Sequence, residues 1–370
     1  MRFALALLDY FPHGGMQRDA LATAQACMVA GHEVVIFVSR WTGADPAGVE
    51  VRRLAGGGWS NHGRVRGFAR VLADALARDR FDASLAFQCL PGVDAWFAAD
   101  PCRAARDARR TAWLRALPRS RAYRALERAL CASASATRIL LVDPRQGALF
   151  KHYHGTQSER FVELPPGLAP DRRTAPPSAD ERRRLRAEVC AELGLEPTRP
   201  LMLSIGSDFR RKGVDRSMHA LGSAAQLIAV GSHAGWRWAW QARSLGLTER
   251  VRLLQGRDDV PRLLAACDLL LHPAREENTG TVIVEALASG TPVVCSAACG
   301  YAGFVAASGA GAVVPEPFDP AAFEHAISQA LAAPKGTLRH AACRWSEAQD
   351  FGALHRRIVE VLEAIGGERR

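Results

Sequence analysis

The sequence predicts an α/β protein made of two doubly wound domains, each built on a parallel sheet. Short apolar runs alternate with helical segments through both halves of the chain, as in successive βαβ units. The stretch LPPGLAP, residues 164–170, interrupts that alternation, because Pro-Pro-Gly ends regular structure. A chain of 370 residues is also longer than one ordinary core requires, so two domains are expected.

We place the domain boundary at this break. Residues 1–165 are predicted to form the first domain and residues 166–345 the second. The last segment, residues 346–370, has a helical pattern and is expected to pack back on the first domain. In sheets of this kind, ligands bind beyond the carboxyl ends of the strands.

The individual elements follow from the apolar pattern. In the first half, the predicted strands are FALALL, EVVIFVS, VEVRRL, ASLAF and TRILLV, with helices near residues 16–30 and 64–80. In the second half, a helix in residues 178–194 precedes the strands PLMLSIG, AQLIAVG, VRLLQG, DLLLHP and TPVVCS. The helices GVDRSMHALG, RWAWQARSLG and DVPRLLAAC separate these strands, and a further helix is expected after DLLLHP.

Composition narrows the class of protein and its partners. Apolar residues make up 48% of the chain and charged residues 23%, which is typical of a soluble globular protein. The net charge of +10 favours an anionic partner: nucleic acid, a phosphorylated substrate or a membrane surface. The nine cysteines are scattered without C-x-x-C, so reduced thiols are expected rather than disulfides or a metal site. The N-terminal run RFALALL is too short for a signal peptide and is interpreted as a strand.

Several motifs that would define other classes of enzyme do not occur in the sequence. There is no D-x-D, no G-x-S-x-G and no G-x-x-x-x-G-K-[ST], and no G-x-G-x-x-G follows the first strand. These absences argue against a metal-bridged diphosphate, a serine hydrolase, a P-loop enzyme and a dinucleotide oxidoreductase. His152 and His154 are two residues apart and would diverge on a helix, so both are expected on the surface.

The first candidate binding segment is FPHGGMQRD, residues 11–19, between the first strand and the first helix. Gly14 and Gly15 would let a ligand approach the backbone, and the helix N-terminus would offer N–H groups to an anion. An ordinary tight turn explains the same residues equally well.

The second candidate is GSDFRRKGVDRS, residues 206–217, which also joins a strand to a helix. Gly206 permits close approach, and Arg211 and Lys212 place two cations beside a helix start, a combination suited to a diphosphate. Lys212 is one of only three lysines, which is a mild indication that arginine would not serve there. The alternative is a solvated basic turn.

The third candidate is EENTGTVIVEALASG, residues 276–290, with Glu277 in a loop and Glu285 eight residues later on a helix. Eight helical residues rise about 12 Å, so two acids on one helix could not act on a single bond. We predict that they contact two parts of one elongated ligand, since carboxylates accept hydrogen bonds from paired hydroxyls. The N–H groups of Thr279 and Gly280 could meet a phosphate between them. A capping acid and an unrelated surface glutamate form the alternative.

The fourth segment, Arg103–Cys131, carries nine arginines and two acids, interleaved with aromatic and leucine side chains. A basic amphipathic segment with aromatic anchors is typical of a membrane-surface contact. A solvated helical face and RNA binding are the alternatives.

Taken together, these segments resemble a known family. The E-x7-E spacing, the GSDFRRKG loop and the Gly-Gly turn resemble the retaining glycosyltransferases of family 4, which have the GT-B fold, two Rossmann-like domains facing each other across a cleft. Further segments are similar to lipopolysaccharide core glycosyltransferase I, the WaaG family: YFPHGGMQRD, NHGR, PGVDAWFAAD, KHY, ERFVELPPG, DLLLHPA and CGYAGF. They span nearly the whole chain in the same order, whereas E-x7-E alone is only moderately specific.

The resemblance implies transfer of a hexose, glucose or an N-acetylhexosamine, from a UDP-sugar to an inner-core heptose of lipopolysaccharide. Retention of the anomeric configuration is implied, with no metal and no other cofactor. The enzyme would lie on the cytoplasmic face of the inner membrane of Gram-negative bacteria, with Arg103–Cys131 on anionic lipid and no nucleic-acid partner.

Particular roles follow from the same resemblance. Arg211 and Lys212 would hold the diphosphate and stabilise the leaving UDP, Glu277 would contact the donor sugar, and Glu285 would bind the ribose. The other positions implied for the donor site are Gly14, Gly15, Gly206, Ser207, Arg257, Asn278, Thr279 and Gly280. Asp19 and Asp100 would face the acceptor. The reaction would be a front-face transfer in which the leaving phosphate takes the acceptor proton, with Asp100 or Asp19 as the competing base.

The chain departs from the family at three places. Gln88-Cys89 stands before LPG where the family tends to show Asn-Lys before MPG, which removes a cation near the acceptor. The stretch between residues 221 and 226 is shortened, and GSHAGWRWAW carries three tryptophans where the family is more polar. Two other functions therefore stay open, a family-4 transferase for a different envelope glycan and an inactive scaffold on the membrane surface.

Overall fold

A computed structural model describes residues 1–12, 14–173, 175–231 and 235–369. The chain divides into two compact units, unit 1 with Met1–Ala169 and Phe351–Arg370, and unit 2 with Pro170–Asp350. The domain boundaries predicted from the sequence, after residues 165 and 345, lie a few residues before those of the two units. Each unit is a parallel α/β sheet flanked by helices, so the predicted fold class is confirmed.

Unit 1 alternates strands with helices along the chain. Its elements are β1 (Arg2–Ala6), β2 (Asp9–Tyr10), α1 (Gly15–Val29), β3 (Glu33–Val38), β4 (Arg40–Trp41), β5 (Glu50–Arg53), α2 (Asn61–Arg78), β6 (Ala83–Ala86), β7 (Ala95–Ala98), α3 (Arg103–Ala108), α4 (Ala112–Ala116), α5 (Pro118–Cys131), β8 (Arg138–Leu141), α6 (Arg145–His154), a 3-10 turn (Ser158–Arg160) and β9 (Phe161–Glu163).

The sheet of unit 1 has seven parallel strands in the order β5-β3-β1-β6-β7-β8-β9. The chain winds outward from β1 through β3 to β5, and then returns to the other side of β1 with β6. In register, Phe3 of β1 lies between Val34 of β3 and Ala83 of β6. The point where the winding direction reverses is therefore between β1 and β6, and this is where doubly wound sheets bind ligands. A separate two-stranded pair joins β2 to β4.

Unit 2 follows the 3-10 turn Pro170–Arg172. Its elements are α7 (Ala179–Leu193), β10 (Leu201–Ile205), α8 (Phe209–Lys212), α9 (Val214–His219), β11 (Gln226–Val230), α10 (Trp236–Ser244), β12 (Val251–Leu254), α11 (Val260–Ala266), β13 (Leu269–His272), α12 (Thr281–Ala288), β14 (Val293–Ser296), α13 (Ala302–Ser308), β15 (Gly311–Val314), α14 (Pro320–Ala332) and α15 (Thr337–Glu347).

The six strands of unit 2 lie in the order β12-β11-β10-β13-β14-β15, all parallel. Strands β10, β11, β13 and β14 are apolar and almost fully buried, because helices cover both faces of a parallel sheet. The winding reverses between β10 and β13, so these two neighbours form the switch point of unit 2. The loops after both strands carry the second and third candidate segments.

The last helix, α16 (Ala353–Glu368), belongs to unit 1 and contacts α1 and β6. Its residues Leu354, Ile358 and Leu362 are buried in the same apolar cluster as Phe3 and Leu5 of β1. Complete burial of each such side chain contributes roughly 1.5–3 kcal/mol, so these three residues contribute substantially to the core of unit 1.

The basic segment Arg103–Cys131 forms three helices, α3, α4 and α5. The break before α5 has a local cause, since Pro118 forces Leu117 into an extended conformation with φ −58° and ψ 141°. The two acids of the segment are buried, and Asp107 lies 3.6 Å from the guanidinium groups of both Arg110 and Arg124. Within the described ranges, no helix is both long and apolar enough to cross a membrane.

The sequence prediction for His154 is wrong. Its side chain is only 7% exposed, and its Nε2 lies 2.8 Å from the buried Oε1 of Glu127. Glu127 also accepts the backbone N–H of Ala104 at 2.9 Å, so this carboxylate joins α3, α5 and α6. Two-residue spacing showed only that the two histidines diverge, and His154 is the one that turns inward. His152 is exposed, as predicted.

Candidate functional site

The strongest candidate site lies at the switch point of unit 2, where the loops after β10 and β13 meet. The loop after β10 leads into α8, and its first residue, Gly206, donates its backbone N–H to Val230 of β11 at 2.9 Å. A side chain at this position would collide with Lys212, since a Cβ on Gly206 would lie 2.4 Å from Cγ of Lys212. The glycine is therefore what lets the lysine side chain lie across the end of β10.

The short helix α8 is fixed at both ends. Asp208 caps its start by accepting the backbone N–H of Arg211 at 3.1 Å. Gly213 ends it with φ +75°, and a Cβ there would lie 2.0 Å from the carbonyl oxygen of Pro273. Only glycine meets both requirements, a left-handed backbone and close contact with the loop after β13. The positions of Arg211 and Lys212 are thus set by the backbone of two loops.

The loop after β13 is held against a second loop that follows β14. Glu277 forms an isolated parallel bridge with Cys299, and its carbonyl accepts the N–H of Gly300 at 3.1 Å. Tyr301 donates its N–H to the carbonyl of Thr279 at 2.8 Å. Pairing on this side orients the Glu277 side chain toward α8.

Three charged side chains meet at this point. Nζ of Lys212 contacts Oε2 of Glu277, and Nη1 of Arg211 lies 3.7 Å from Oε1 of the same carboxylate. Arg211 also donates from Nη1 to the carbonyl of Glu276 at 3.3 Å. The side chains of Lys212 and Glu277 are only 12% and 8% exposed, so each charge depends on the other for compensation. The sequence predicted these residues for one site, and the structure brings them together.

Burial strongly affects protonation in this cluster. Burial lowers the pKa of Lys212 to about 7, and the charge of Arg211 adds to this shift, although Cys299 and Asp208 oppose it. Burial, together with Lys212 and Arg211, also holds the pKa of His272 well below its usual range. Perturbed groups concentrated at the carboxyl ends of strands are typical of functional sites.

Glu285 lies apart from this cluster, on the next helix. It is on α12, its side chain is largely buried, and its Oε2 is 3.9 Å from Nη1 of Arg172. Arg172 ends the 3-10 turn that begins unit 2 and is itself buried. A carboxylate at this position can accept hydrogen bonds from paired hydroxyl groups.

Other residues predicted for the donor site have varied surroundings. Asn278 is buried, Ser207 is exposed, and Gly280 has φ +85° as the residue before α12. Arg257 is ion-paired in the structure, donating to Asp259 at 2.6 Å and 2.7 Å. Its Nη1 also lies 2.9 Å from Glu192, so a ligand would have to compete with two acids for this guanidinium.

The residues predicted in unit 1 lie near the switch point between β1 and β6. Gly14 precedes α1, and Gly15 is its first residue, where a Cβ would meet nothing within 4 Å. Asp19, one turn further along α1, has Oδ1 3.7 Å from Nε2 of the buried His355 on α16. Asp100 is exposed after β7. His13 of the Gly-Gly segment and residues 232–234 of the tryptophan-rich segment lie outside the described residues.

Gln88, which follows β6, turns its side chain toward the backbone. Its Oε1 accepts the N–H of Leu8 at 2.6 Å. The next residue, Cys89, is partly buried, and burial raises the pKa of its thiol well above the usual range. The position at which the family tends to carry a cation is therefore neutral in this chain.

Sequence reasoning missed two residues of unit 2. His272 ends β13 and lies 3.6 Å from Glu277, and Arg172 lies beside Glu285. The signal for His272 was present, since it is a polar residue at the carboxyl end of the apolar strand DLLLHP. Arg172 carried no local signal, because its partner is more than a hundred positions away along the chain.

The comparison with known protein families agrees with this arrangement. The family described as glycosyl transferases group 1 matches residues 186–346, which include both loops of the cluster. The chain belongs to this family of nucleotide-sugar-dependent, retaining glycosyltransferases, and its two units have the GT-B fold.

Similarity to one relative extends over the whole chain. The lipopolysaccharide glucosyltransferase WaaG of Escherichia coli (strain K12) is 34% identical over 374 residues, covering 98% of both chains. The crystal structure of WaaG, a glycosyltransferase involved in lipopolysaccharide biosynthesis, superposes with a TM-score of 0.90, at 33% identity over 97% of this chain and 99% of that one.

Other relatives are more distant. The D-inositol 3-phosphate glycosyltransferase of Mycobacterium sp. (strain KMS) is 33% identical over 167 residues, 42% of this chain and 38% of its own length. Alr3699/HepE of Anabaena, crystallised with UDP and glucose, shares the fold with a TM-score of 0.72 at 17% identity, covering 98% of this chain and all of that one.

Proposed function

We propose that this enzyme transfers a hexose from a UDP-sugar to an inner-core heptose of lipopolysaccharide, with glucose preferred over an N-acetylhexosamine. The proposal is supported by 34% identity to a lipopolysaccharide glucosyltransferase over 98% of both chains. The acceptor class is inferred from that relative, whereas retention of configuration is a property of the family.

The observation that carries the proposal is the cluster of Lys212, Arg211 and Glu277. Two cations beyond the carboxyl end of β10 suit a diphosphate, and one of them, Lys212, is buried, where electrostatic interactions are strong. In the ligand-free protein both cations face Glu277. On donor binding, the diphosphate takes over Lys212 and Arg211, and Glu277 becomes available to the hydroxyl groups of the sugar.

In the reaction, Lys212 and Arg211 stabilise negative charge on the leaving UDP as the bond from the anomeric carbon to the phosphate oxygen breaks. Preorganised cations of this kind are the largest single contribution in many group transfers. The acceptor hydroxyl attacks from the same face, and the leaving phosphate takes its proton. Asp100 or Asp19 as a general base is the competing route. Glu285 binds the ribose of the nucleotide.

The basic surface of unit 1 is proposed to contact anionic lipid on the cytoplasmic face of the inner membrane. Both acids of Arg103–Cys131 are buried, which leaves an exposed surface of arginines: Arg109, Arg115, Arg119, Arg121 and Arg128. Trp113 and Leu117 lie among them and are 66% and 44% exposed. Exposed tryptophan and arginine together favour the interface of a negatively charged membrane.

A second candidate, a family-4 transferase for a different envelope glycan, is favoured by the neutral pair Gln88-Cys89. Because Gln88 is bonded to Leu8 and Cys89 carries no charge, this part of unit 1 offers no cation to a phosphorylated acceptor. An unphosphorylated heptose, or another neutral glycan, fits these residues better.

The decisive experiment is a donor and acceptor screen with the purified protein. UDP-Glc, UDP-Gal, UDP-GlcNAc and UDP-GalNAc are each offered with heptosylated core, with and without phosphate on the heptose, and the product linkage is determined by NMR. We expect turnover of one donor with retained configuration. Turnover only on a different glycan would favour the second candidate. Absence of UDP binding in calorimetry would leave an inactive scaffold.

A further inference from the structure

His272 is a buried imidazole with one nitrogen left without a hydrogen bond. It is the last residue of β13, its side chain is 1% exposed, and within the described ranges its Nε2 has no hydrogen-bond partner. That nitrogen lies 3.6 Å from Oε2 of Glu277, a few tenths of an ångström beyond hydrogen-bond distance.

Packing alone does not account for a histidine at this position. The preceding residues Leu269, Leu270 and Leu271 are fully buried leucines of the same strand, and a fourth apolar side chain would extend that core. An unpaired buried polar group is destabilising, so it persists where another interaction compensates for it. The atom that it faces is an oxygen of the cluster described above.

The charges around His272 make it a neutral donor. Burial, together with the positive charges of Lys212 and Arg211, holds the pKa of His272 well below the usual range, so it adds no third positive charge. A neutral imidazole carries one N–H, which it can donate to a carboxylate. Cys299 approaches only the carbonyl oxygen of His272, at 3.6 Å, and does not occupy the ring nitrogen.

Binding of the UDP-sugar would remove the cation that compensates the charge on Oε2 of Glu277. In the free protein its Oε2 is in contact with Lys212. When Lys212 turns to a diphosphate, that buried oxygen loses its cation, while Arg211 remains 3.7 Å from the other oxygen, Oε1. Nε2 of His272 lies 3.6 Å from that oxygen and needs only a small movement to donate to it.

We infer that His272 is a positioning residue, which takes over Oε2 of Glu277 from Lys212 and so fixes the carboxylate that contacts the donor sugar. The inference rests on the proposed function, since it requires Lys212 to bind the diphosphate of a UDP-sugar. It assigns to His272 no contact with the substrate.

The test compares variants of residue 272 that place a hydrogen-bond donor at different distances from the backbone. Glutamine places an amide N–H near the position of Nε2, whereas asparagine places it near Nδ1, closer to the backbone. Affinities for UDP and for the preferred UDP-sugar are measured by calorimetry. We expect His272→Asn and His272→Leu to weaken UDP-sugar binding by about tenfold, and to weaken UDP binding as well, because either diphosphate draws Lys212 away from Glu277. His272→Gln is expected to restore most of the loss.

A double-mutant cycle with Glu277→Gln separates positioning from general destabilisation. If His272 acts through Glu277, His272→Asn has no further effect on the affinity for the UDP-sugar in the Glu277→Gln background. If the two mutations lower the affinity independently, so that their fold-changes multiply, the inference is overturned. It is also overturned if His272→Gln and His272→Asn lose the same affinity for the UDP-sugar. A loss of affinity for UDP-sugar that is the same size in the wild-type and Glu277→Gln backgrounds would mean a structural role only.

The two proposals fail in different ways. If the wild-type protein binds none of the UDP-sugars, the proposed function fails, and the inference fails with it. If wild type binds and transfers while His272→Asn retains its affinity for the UDP-sugar, only the role of His272 is wrong. Thermal unfolding of every variant shows whether the His272→Asn and His272→Gln proteins are comparably folded. If His272→Leu is unstable, the comparison of the Asn and Gln variants is still valid.

Discussion

The ammonium group of Lys212 is in direct contact with the carboxylate of Glu277, although the two residues lie 65 positions apart and follow different strands. Both are buried, so each compensates the charge of the other in a region of low polarity. A ligand that carries negative charge must therefore compete with Glu277 for Lys212. This competition determines how the site responds to mutation and to pH.

Removal of the lysine is expected to lower turnover, and also the stability of unit 2, because Glu277 loses the cation that compensates its buried charge. Lys212→Ala should lower kcat by roughly 10²–10³-fold, because the developing charge on UDP loses its nearest cation. Lys335→Ala is the matched control, since Lys335 is an exposed lysine of the same unit. Near-normal turnover in Lys212→Ala, measured as UDP release, would exclude the proposed role.

The pH dependence of donor binding follows from the lowered pKa of Lys212. Because that pKa is about 7 in the free protein, the ammonium form predominates only below this pH, and a bound diphosphate raises the pKa. Affinity for a UDP-sugar should therefore fall by up to about tenfold per pH unit as the pH rises above about 7. The charges of a UDP-sugar do not change in this range.

Lys212→Arg provides the control for this prediction, since a guanidinium does not lose its proton under these conditions. Its binding should be weaker overall but flat across the same range in calorimetry. A pH slope that survives in Lys212→Arg would assign the titration to another group.

Glu277 and Glu285 are expected to bind different parts of the UDP-sugar. Glu285→Gln should weaken binding of both UDP and UDP-sugar, by about tenfold, because both contain the ribose. Glu277→Gln should weaken UDP-sugar binding and lower kcat while UDP binding is retained or improved, since the competing charge is gone. Glu276→Gln, a change at the adjacent position, is the control. Identical profiles for Glu277→Gln and Glu285→Gln would contradict separate roles.

Gly206 offers a steric test that replaces no charged residue. A Cβ at this position would lie 2.4 Å from Cγ of Lys212, so Gly206→Ala must displace the lysine side chain. We expect a loss of UDP affinity and a stability decrease of about 1–3 kcal/mol from overpacking. At Gly222, a Cβ meets nothing within 4 Å, and Gly222→Ala should leave UDP binding unchanged in parallel titrations.

Membrane contact can be tested through exposed aromatic residues. Replacing Trp113 and Leu117 together by serine should weaken binding to vesicles with anionic lipid by about tenfold, while kcat on a soluble acceptor is retained. Trp59 is fully exposed in the same unit and lies outside Arg103–Cys131, so Trp59→Ser is the control. Equal vesicle co-sedimentation of the two variants would argue against this surface.

The sequence was informative wherever function depends on local pattern. Apolar runs of strand length predicted most strands of both sheets but not β7, β9 and β15, and the glycine-basic loop at residues 206–212 predicted the cations beside Glu277. The interior position of His154 was not predictable from its spacing, because its partner Glu127 lies on a different helix. His272 and Arg172 likewise become relevant only through carboxylates that the fold brings to them. Local sequence specifies elements and loop chemistry, whereas buried polar pairs are specified by long-range packing.

The return of α16 to unit 1 makes that unit discontinuous along the chain, whereas unit 2 is a single uninterrupted segment. During synthesis, β1 is made before unit 2 and α16 after it, so the cluster that covers β1 lacks Leu354, Ile358 and Leu362 until unit 2 has been made. Unit 2 can therefore complete its core while unit 1 still exposes apolar surface. Loss of residues 351–370 would therefore destabilise the packing around β1, although the two segments are far apart in the sequence.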